Sequence, residues 1–356
     1  MKINFFVLFV LWCFSTHLNG QCWKQVSVGG SYTLAIKSDG SLWAWGFNGS
    51  IQLGNNSPDD ESSPVRIGTK AWKYISAGKS NSFAIDSEGN LYGWGSVAHD
   101  FLAVAGFPKE GKPVRGGMQR IFPEPIQIGN DKWKQVVVSV YHVLAIKEDG
   151  TLWAWGKNER GVLGLGSSIT SVSEPTKVGV AKWLKVVATE ENSAGIRNDG
   201  ALFVWGNNYA GQIGNGEYLG ANKYEPVQIG ADESNGTFKD LAMNNCNGAA
   251  IGTDGKLYLW GGKNCLKDVD LSNGVKPYTE ITSSLLLTSQ RWKKVAGGSG
   301  ILFAIHQDGA LWAWGASSRG GLGSGKEKTD IPSPEKVIDG NWSEVQTSVF
   351  NDQFSA

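Results

Sequence analysis

Apolar residues in this chain fall in short runs broken by Asp-Gly, and the first such stretch sets the pattern for the rest. Tyr32 to Ile36 is an apolar run, Asp39-Gly40 interrupts it, and Leu42 to Trp45 resumes it. Two apolar runs joined through Asp-Gly give the strongest short-range signal for a β-hairpin. A two-residue type I′ turn there requires positive φ at both central residues. Upstream, Trp23-Lys24-Gln25-Val26-Ser27-Val28 reads as another strand, and downstream Pro64-Val65-Arg66-Ile67 as a short outer one. Four antiparallel strands are therefore predicted for this stretch. The third is apolar on both faces, with Leu42 and Ala44 on one and Trp43 and Trp45 on the other. A strand buried on both faces needs packed neighbours on both sides of its sheet.

The same pattern returns along the chain. Taking Trp23, Trp72, Trp133, Trp183, Phe238 and Trp292 as starting points, the residue thirteen further on is isoleucine in all six units: Ile36, Ile85, Ile146, Ile196, Ile251 and Ile305. An Asp-Gly or Glu-Gly follows three residues later, then Leu, then a Trp-Gly pair at Trp45, Trp94, Trp155, Trp205, Trp260 and Trp314. Self-similarity at a fixed period marks a repeat architecture. Four-stranded units that must be covered on both faces are satisfied by radial stacking, so the fold class is all-β and the architecture a β-propeller. Six units are complete, opening near 23, 72, 133, 183, 238 and 292. A partial seventh starts at Trp342, with its register slipped by a residue or two, and no Asp-Gly follows it before Ala356.

The run from Val28 to Gly46, with its Ala-Ile, Asp-Gly and Leu-Trp-Ala-Trp-Gly, resembles the repeat of the RCC1-like propellers, the family of the regulator of chromosome condensation. So does the tail Trp-Gly-x-Asn-x-x-Gly-x-Leu-Gly at Trp155 to Gly164, and again at Trp205 to Gly214 with Ile213 for the Leu. Trp45 to Gly54 keeps the Asn and the Leu-Gly but places Ile51 where the Gly belongs, and Trp314 to Gly323 has Ser317 for the Asn. The resemblance covers about residues 23–340 and implies a propeller of about seven blades. It also implies action through protein contacts, with nucleotide exchange on a small GTPase as the founding member's activity and enzyme inhibition as a role of some exported bacterial members.

Residues 1–20 stand apart. Lys2, the apolar run Phe5 to Phe14 and the closing Asn19-Gly20 have the layout of a secretory signal peptide, which leaves residues 21–356 as a single propeller domain. Ten apolar residues are too few to cross a bilayer core of about 30 Å. Neither Cys13 nor Cys22 follows the small residues expected before a lipid-modified cysteine. The expected location is secreted or in the cell envelope, without membrane insertion after cleavage.

Composition narrows the choice of partner. The 33 basic residues balance 33 acidic ones, so the surplus of positive charge that a nucleic-acid footprint needs is missing. Gly is abundant at 48 of 356 residues, as expected for a chain that turns often. After residue 20 the histidines are His99, His142 and His306, in different units and without metal-ligand spacing, and no nucleophile elbow or phosphate-binding loop is present. The acids before Gly are turn residues, because Asp bonds its own backbone. No cofactor, metal or catalytic group is expected, and the protein is read as a non-enzyme.

Two units depart from the pattern. After Trp94 the segment Ser96 to Pro123 lacks the Gly-x-Leu-Gly tail and carries Phe101 and Phe107 with Lys109, Lys112, Arg115 and Arg120. An apolar and basic loop on a rigid scaffold is a candidate partner contact. The fifth unit holds Cys246 before its second strand and Cys265 after its third. Those strands are hairpin neighbours, so a disulfide is expected there, leaving Cys22 free or paired through another chain. Loops joining first to second and third to fourth strands share one end of the sheets, and that end is the expected binding face. Four Asn-x-Ser/Thr sequons begin at Asn48, Asn55, Asn235 and Asn341. The expected function is an exported binding propeller for an unknown protein. A carbohydrate-binding or carbohydrate-active propeller is the alternative; a hydrolase would require loop acids such as Glu190 and Glu191 to face other carboxylates.

Overall fold

A computed structural model describes residues 22–98, 112–113, 119–217, 220–231, 236–245, 247–261, 279–280, 291–298, 300–315 and 331–347. Six four-stranded antiparallel blades follow one another in chain order. Blade 1 runs Trp23–Val28, Tyr32–Lys37, Leu42–Gly46 and Glu61–Arg66. Blade 2 begins with Trp72–Ala77, Asn81–Asp86 and Asn90–Ala98, and its outer strand is the first part of Gln119–Val138. That strand continues as the innermost strand of blade 3, which adds His142–Lys147, Thr151–Lys157 and the start of Ser171–Ala188. The remainder of Ser171–Ala188 opens blade 4, completed by Asn192–Arg197, Leu202–Gly206 and Lys223–Ile229. Blade 5 comprises Phe238–Met243, Asn247–Gly252, Leu257–Gly261 and Thr279–Glu280, and blade 6 Trp292–Gly298, Ile301–His306, Leu311–Gly315 and Ile331–Ile338.

Two long strands thus pass from one blade into the next. Gly129 and Gly179, both with φ near +58°, redirect the chain at the crossing. First strands pack against first strands of the following blade, so they form the inner wall of the ring. Each blade buries a layer of Leu, Ile, Val and Trp against the next, and Trp94, Trp133, Trp155, Trp205 and Trp314 rank among the most completely buried side chains.

The hairpin turns differ from the type I′ expectation. Gly40 N–H donates to Lys37 O at 2.9 Å and Lys37 N–H to Ser41 O at 3.0 Å, which closes a three-residue loop. Only Gly40 is left-handed, at φ 83°, whereas Asp39 keeps an ordinary negative φ. The turn is type I followed by a left-handed glycine, the next commonest hairpin solution. Its Asp serves as a tether: Asp39 Oδ1 accepts from Ser41 N–H at 2.9 Å and from the Ser41 hydroxyl at 2.6 Å. Asp149, Asp199, Asp254 and Asp308 make the same backbone bond two residues on. Those bonds, led by the Thr151 hydroxyl, draw the Asp149 carboxyl down to about 2.

The seventh repeat keeps register where it begins. Trp342 N–H donates to Gly309 O at 3.0 Å, matching Trp72 to Gly40 and Trp133 to Gly89. Val345 is buried and Glu344 pairs with Lys294 at 3.3 Å, so residues 341–347 take the place of a further innermost strand. The slip read from the sequence falls on residues 348–356, which lie outside the described residues. Cys22 is disulfide-bonded within the chain, neither free nor joined to another molecule. Cys246 and Cys265 lie outside the described residues. No helix among the described residues is long and apolar enough to cross a membrane.

Candidate partner-binding face

The tail motif is a clasp between blades. In Trp155 to Gly164, Asn158 is buried; its Oδ1 accepts from Leu163 N–H at 2.9 Å, and its amide donates to Ile169 O at 2.8 Å and Gly166 O at 3.2 Å. The folded loop presents Leu163 and the Val162 carbonyl to blade 4, where Trp205 Nε1–H donates to Val162 O at 2.8 Å. Asn48 and Asn208 organise the same loop in blades 1 and 4, and Trp94 and Trp260 donate to Gln52 O and Gln212 O. Each tail ends on a left-handed glycine. A Cβ on Gly54, Gly164 or Gly214 would meet the next blade's Trp at 2.5, 3.1 or 2.6 Å. Asn48 is fully buried in its clasp, so that sequon is occupied by structure.

A second set of contacts surrounds the clasp carbonyl. His142 Nε2 lies 2.9 Å from the Ser193 hydroxyl, which donates to Val162 O at 2.8 Å. Tyr32 stands in the corresponding place at the junction of blades 1 and 2, bonded to Ser82, which donates to Gln52 O. Burial alone drives the His142 imidazole down to about 3, and its Nδ1 has no partner among the described residues. This histidine is a core residue. His306, on the far rim, bonds Asp308 at 2.9 Å, and His99 lies outside the described residues. Among the described residues no group of His, Cys, Asp or Glu could hold a metal.

The loops at the clasp end carry the exposed aromatic side chains. Phe47 follows the third strand of blade 1, Tyr141 precedes the second strand of blade 3, and Tyr209 sits in the tail of blade 4, with exposures of 49%, 39% and 68%. Around them Lys157 lies 5.7 Å from the Tyr141 ring and 3.6 Å from Glu159, and Arg160 reaches Glu191 of the next blade at 3.5 Å. Asn207 also donates to Glu191. Glu191 is therefore committed to a cation and an amide rather than to a facing carboxylate, which removes it from the two-acid arrangement a hydrolase needs. Bulky aromatic rings among polar neighbours are what interface hot spots are made of.

The residues singled out in the sequence divide. Arg120 is half-buried on the outer strand of blade 2, opposite Val97. Lys112 belongs to a two-residue strand pairing with Ile121 beside it, so the structure brings these two positions onto one ladder. Phe101, Phe107, Lys109 and Arg115 lie outside the described residues. Phe47, Tyr141 and Tyr209 were not singled out. They were findable: each is an aromatic at a repeat position where the other units carry Lys, Ser, Asn, Gly, Glu, Ala or Cys.

Radial four-stranded blades with clasped junctions define a repeat propeller, and the known proteins it resembles refine that class. Family models described as the regulator of chromosome condensation (RCC1) repeat match residues 39–85, 149–194 and 199–243, and a second such model matches 23–52 and 133–162. The chain carries RCC1 repeats over these residues, in the fold of the RCC1-like β-propellers. The crystal structure of human WBSCR16 superposes with a TM-score of 0.76 at 19% identity, covering 94% of this chain and 86% of that one. Prp20p from Saccharomyces cerevisiae superposes at 0.72 and 22% identity, covering 89% and 77%. The ultraviolet-B receptor UVR8 of Arabidopsis thaliana is 26% identical over 155 residues, which is 42% of this chain and 33% of the receptor. The match thus spans a third of that relative's length.

Proposed function

We propose that this protein is an exported, non-catalytic binding propeller that recognises a protein partner through the clasp-end loops. The observation carrying this reading is the trio Phe47, Tyr141 and Tyr209: three exposed aromatic rings at one end of a ring whose other tryptophans and tyrosines mostly pack between strands. The Lys157, Arg160, Glu159 and Glu191 side chains around Tyr141 and Tyr209 supply a polar rim of both signs, the usual surround of a desolvated contact. Enzyme inhibition is one form such binding can take. The export signal read in residues 1–20 sets the compartment in which the partner is sought.

A second reading, nucleotide exchange on a small GTPase, has the fold in its favour. Prp20p, whose structure was reported with its binding to Gsp1p and histones, shares the architecture. The charge balance and the amino-terminal segment weigh against it.

The test uses the mature chain and a Phe47→Ser/Tyr141→Ser/Tyr209→Ser variant as paired baits on the native extracellular or envelope fraction. A protein retained by the first, lost by the second and then shown to bind the purified chain in calorimetry is the expected result. Equal recovery on both would clear these rings of the role. Retention of a polysaccharide and no protein would replace the protein partner with a carbohydrate.

A further inference from the structure

The innermost strand of every blade carries a β-bulge at one repeat position. The register slips between Trp23 and Gln25, Trp72 and Tyr74, Trp133 and Gln135, Trp183 and Lys185, Phe238 and Asp240, and Trp292 and Lys294. A bulge leaves its extra residue out of the ladder and re-aims its side chain. Here those residues are Lys24, Lys73, Lys134, Leu184, Lys239 and Lys293: five lysines and one exposed leucine. They stand where the innermost strands start, so they ring the axial mouth at the Asp-Gly end, opposite the aromatic face.

Little neutralises this collar. Lys73 pairs with Glu148 at 2.5 Å, whereas Lys24, Lys134, Lys239 and Lys293 are exposed and make no ion pair with the described residues. The layer beneath is satisfied within itself. The Gln25 amide bonds the Ile75 backbone, Gln135 bonds Tyr74 and the Val186 backbone, Lys185 pairs with Asp240, and Lys294 with Glu344. Its two ammonium groups meet two carboxylates, so it offers the collar no counter-charge. In a chain of zero net charge, this is a local concentration of positive potential.

Radially outward on the same end lie the turn acids Asp39, Glu88, Asp149, Asp199, Asp254 and Asp308. An extended polyanion laid across this end would meet that acidic ring before reaching the lysines. Only something narrow enough to sit inside it gains, because unlike charges attract strongly within a Debye length of about 8–10 Å and weakly beyond it. We infer that the collar is a docking site for an acidic peptide segment, a loop or terminus rich in Asp and Glu, presented by a protein partner. This surface is separate from the aromatic face, and the inference stands whether or not that face binds a partner.

The experiment is a fluorescence-anisotropy titration of the full mature chain with a labelled octaglutamate peptide, at about 0.05 M and about 0.2 M salt. Binding should weaken at the higher salt and fall at least tenfold in a Lys24→Gln/Lys134→Gln/Lys239→Gln/Lys293→Gln variant. A Lys70→Gln/Lys79→Gln/Lys177→Gln/Lys336→Gln variant loses the same charge elsewhere and should bind as the parent does. Leu184→Lys fills the gap in the ring and should strengthen binding about two- to fivefold at low salt. That gain cannot be mistaken for misfolding. The Phe47→Ser/Tyr141→Ser/Tyr209→Ser variant should bind the peptide unchanged, which separates failure of this inference from failure of the aromatic face. Equal losses in the two lysine variants, or no gain from Leu184→Lys, would overturn the site. Tighter binding of a single-stranded oligonucleotide than of the peptide, lost in the collar variant, would overturn the assigned partner class.

Discussion

Junctions between blades come in two kinds, and the difference shows what the tail motif is for. Where blades 1 and 2, 3 and 4, and 4 and 5 meet, a folded loop hands its carbonyl to the indole of the next blade. Where blades 2 and 3 and blades 5 and 6 meet, the preceding unit lacks the tail pattern after Trp94 and Trp260. There the equivalent indoles, Trp155 and Trp314, are as deeply buried and their Nε1–H groups have no partner among the described residues. The same ring is packed in both cases, but among the described residues only the clasped junction satisfies its polar edge. A buried donor left unpaired costs about 1–3 kcal/mol. The family-model matches at 39–85, 149–194 and 199–243 each run across a clasped junction, so the family pattern is in large part the clasp itself.

The comparison can be broken most strongly with acid. His142 reinforces the blade 3–4 clasp through Ser193, where Tyr32 does so at blades 1–2. Burial lowers the imidazole from its ordinary 6.5 to about 3, so between those values the unfolded chain takes up a proton that the folded one refuses. The stability is fully present above pH 6.5 and drains away as pH falls toward 3. This one group steepens the acid limb by up to about 1.4 kcal/mol per pH unit. His142→Gln should flatten that limb in urea titrations across the window, and an unchanged slope would show that the side chain titrates without cost.

Asn158→Ala removes the pin of one clasp, leaving Leu163 N–H without its acceptor and the loop untethered. A loss of about 2–3 kcal/mol in chemical denaturation is expected. A smaller test sharpens the contrast directly. Trp205→Phe and Trp155→Phe delete the same atoms, but only the first also breaks a bond, so it should cost about 1 kcal/mol more than the second. Equal costs would mean that the indole bond contributes nothing. The smallest effect belongs to Ile51, a β-branched residue held at φ 57° where the other tails carry Gly161 at 88° and Gly211 at 79°. Ile51→Gly should raise stability by about 0.5–1 kcal/mol, the left-handed penalty released less the entropy a glycine adds to the unfolded chain. A destabilised variant would show that the side chain's packing outweighs the strain.

Much of the fold was legible because its signals are local. Isoleucine thirteen residues past each start, Asp-Gly after it and Trp-Gly beyond give strand positions, hairpins and repeat number without any knowledge of neighbours. Reading Ile51 as a departure from a glycine position also marked the strained residue. The candidate site was less legible. The segment Phe101 to Arg120 stands out in the sequence by its length, whereas the exposed rings at Phe47, Tyr141 and Tyr209 are single substitutions inside otherwise regular loops. The lysines one residue after five of the six repeat starts are regular enough to pass for background, and only the shared bulge reveals that they converge.

The sequence by itself determined the all-β class, the six complete units and the clasp motif, since each rests on residues within one period of about fifty. Tertiary structure decided the rest. It selected a type I turn with one left-handed glycine over the type I′ form, buried His142 beside a serine fifty-one residues away, and left Trp155 without a partner among the described residues while satisfying Trp205. Periodicity specifies which face of a strand is apolar. Whether a polar atom on that face finds a partner depends on the neighbouring blade, and no spacing within one repeat contains that information.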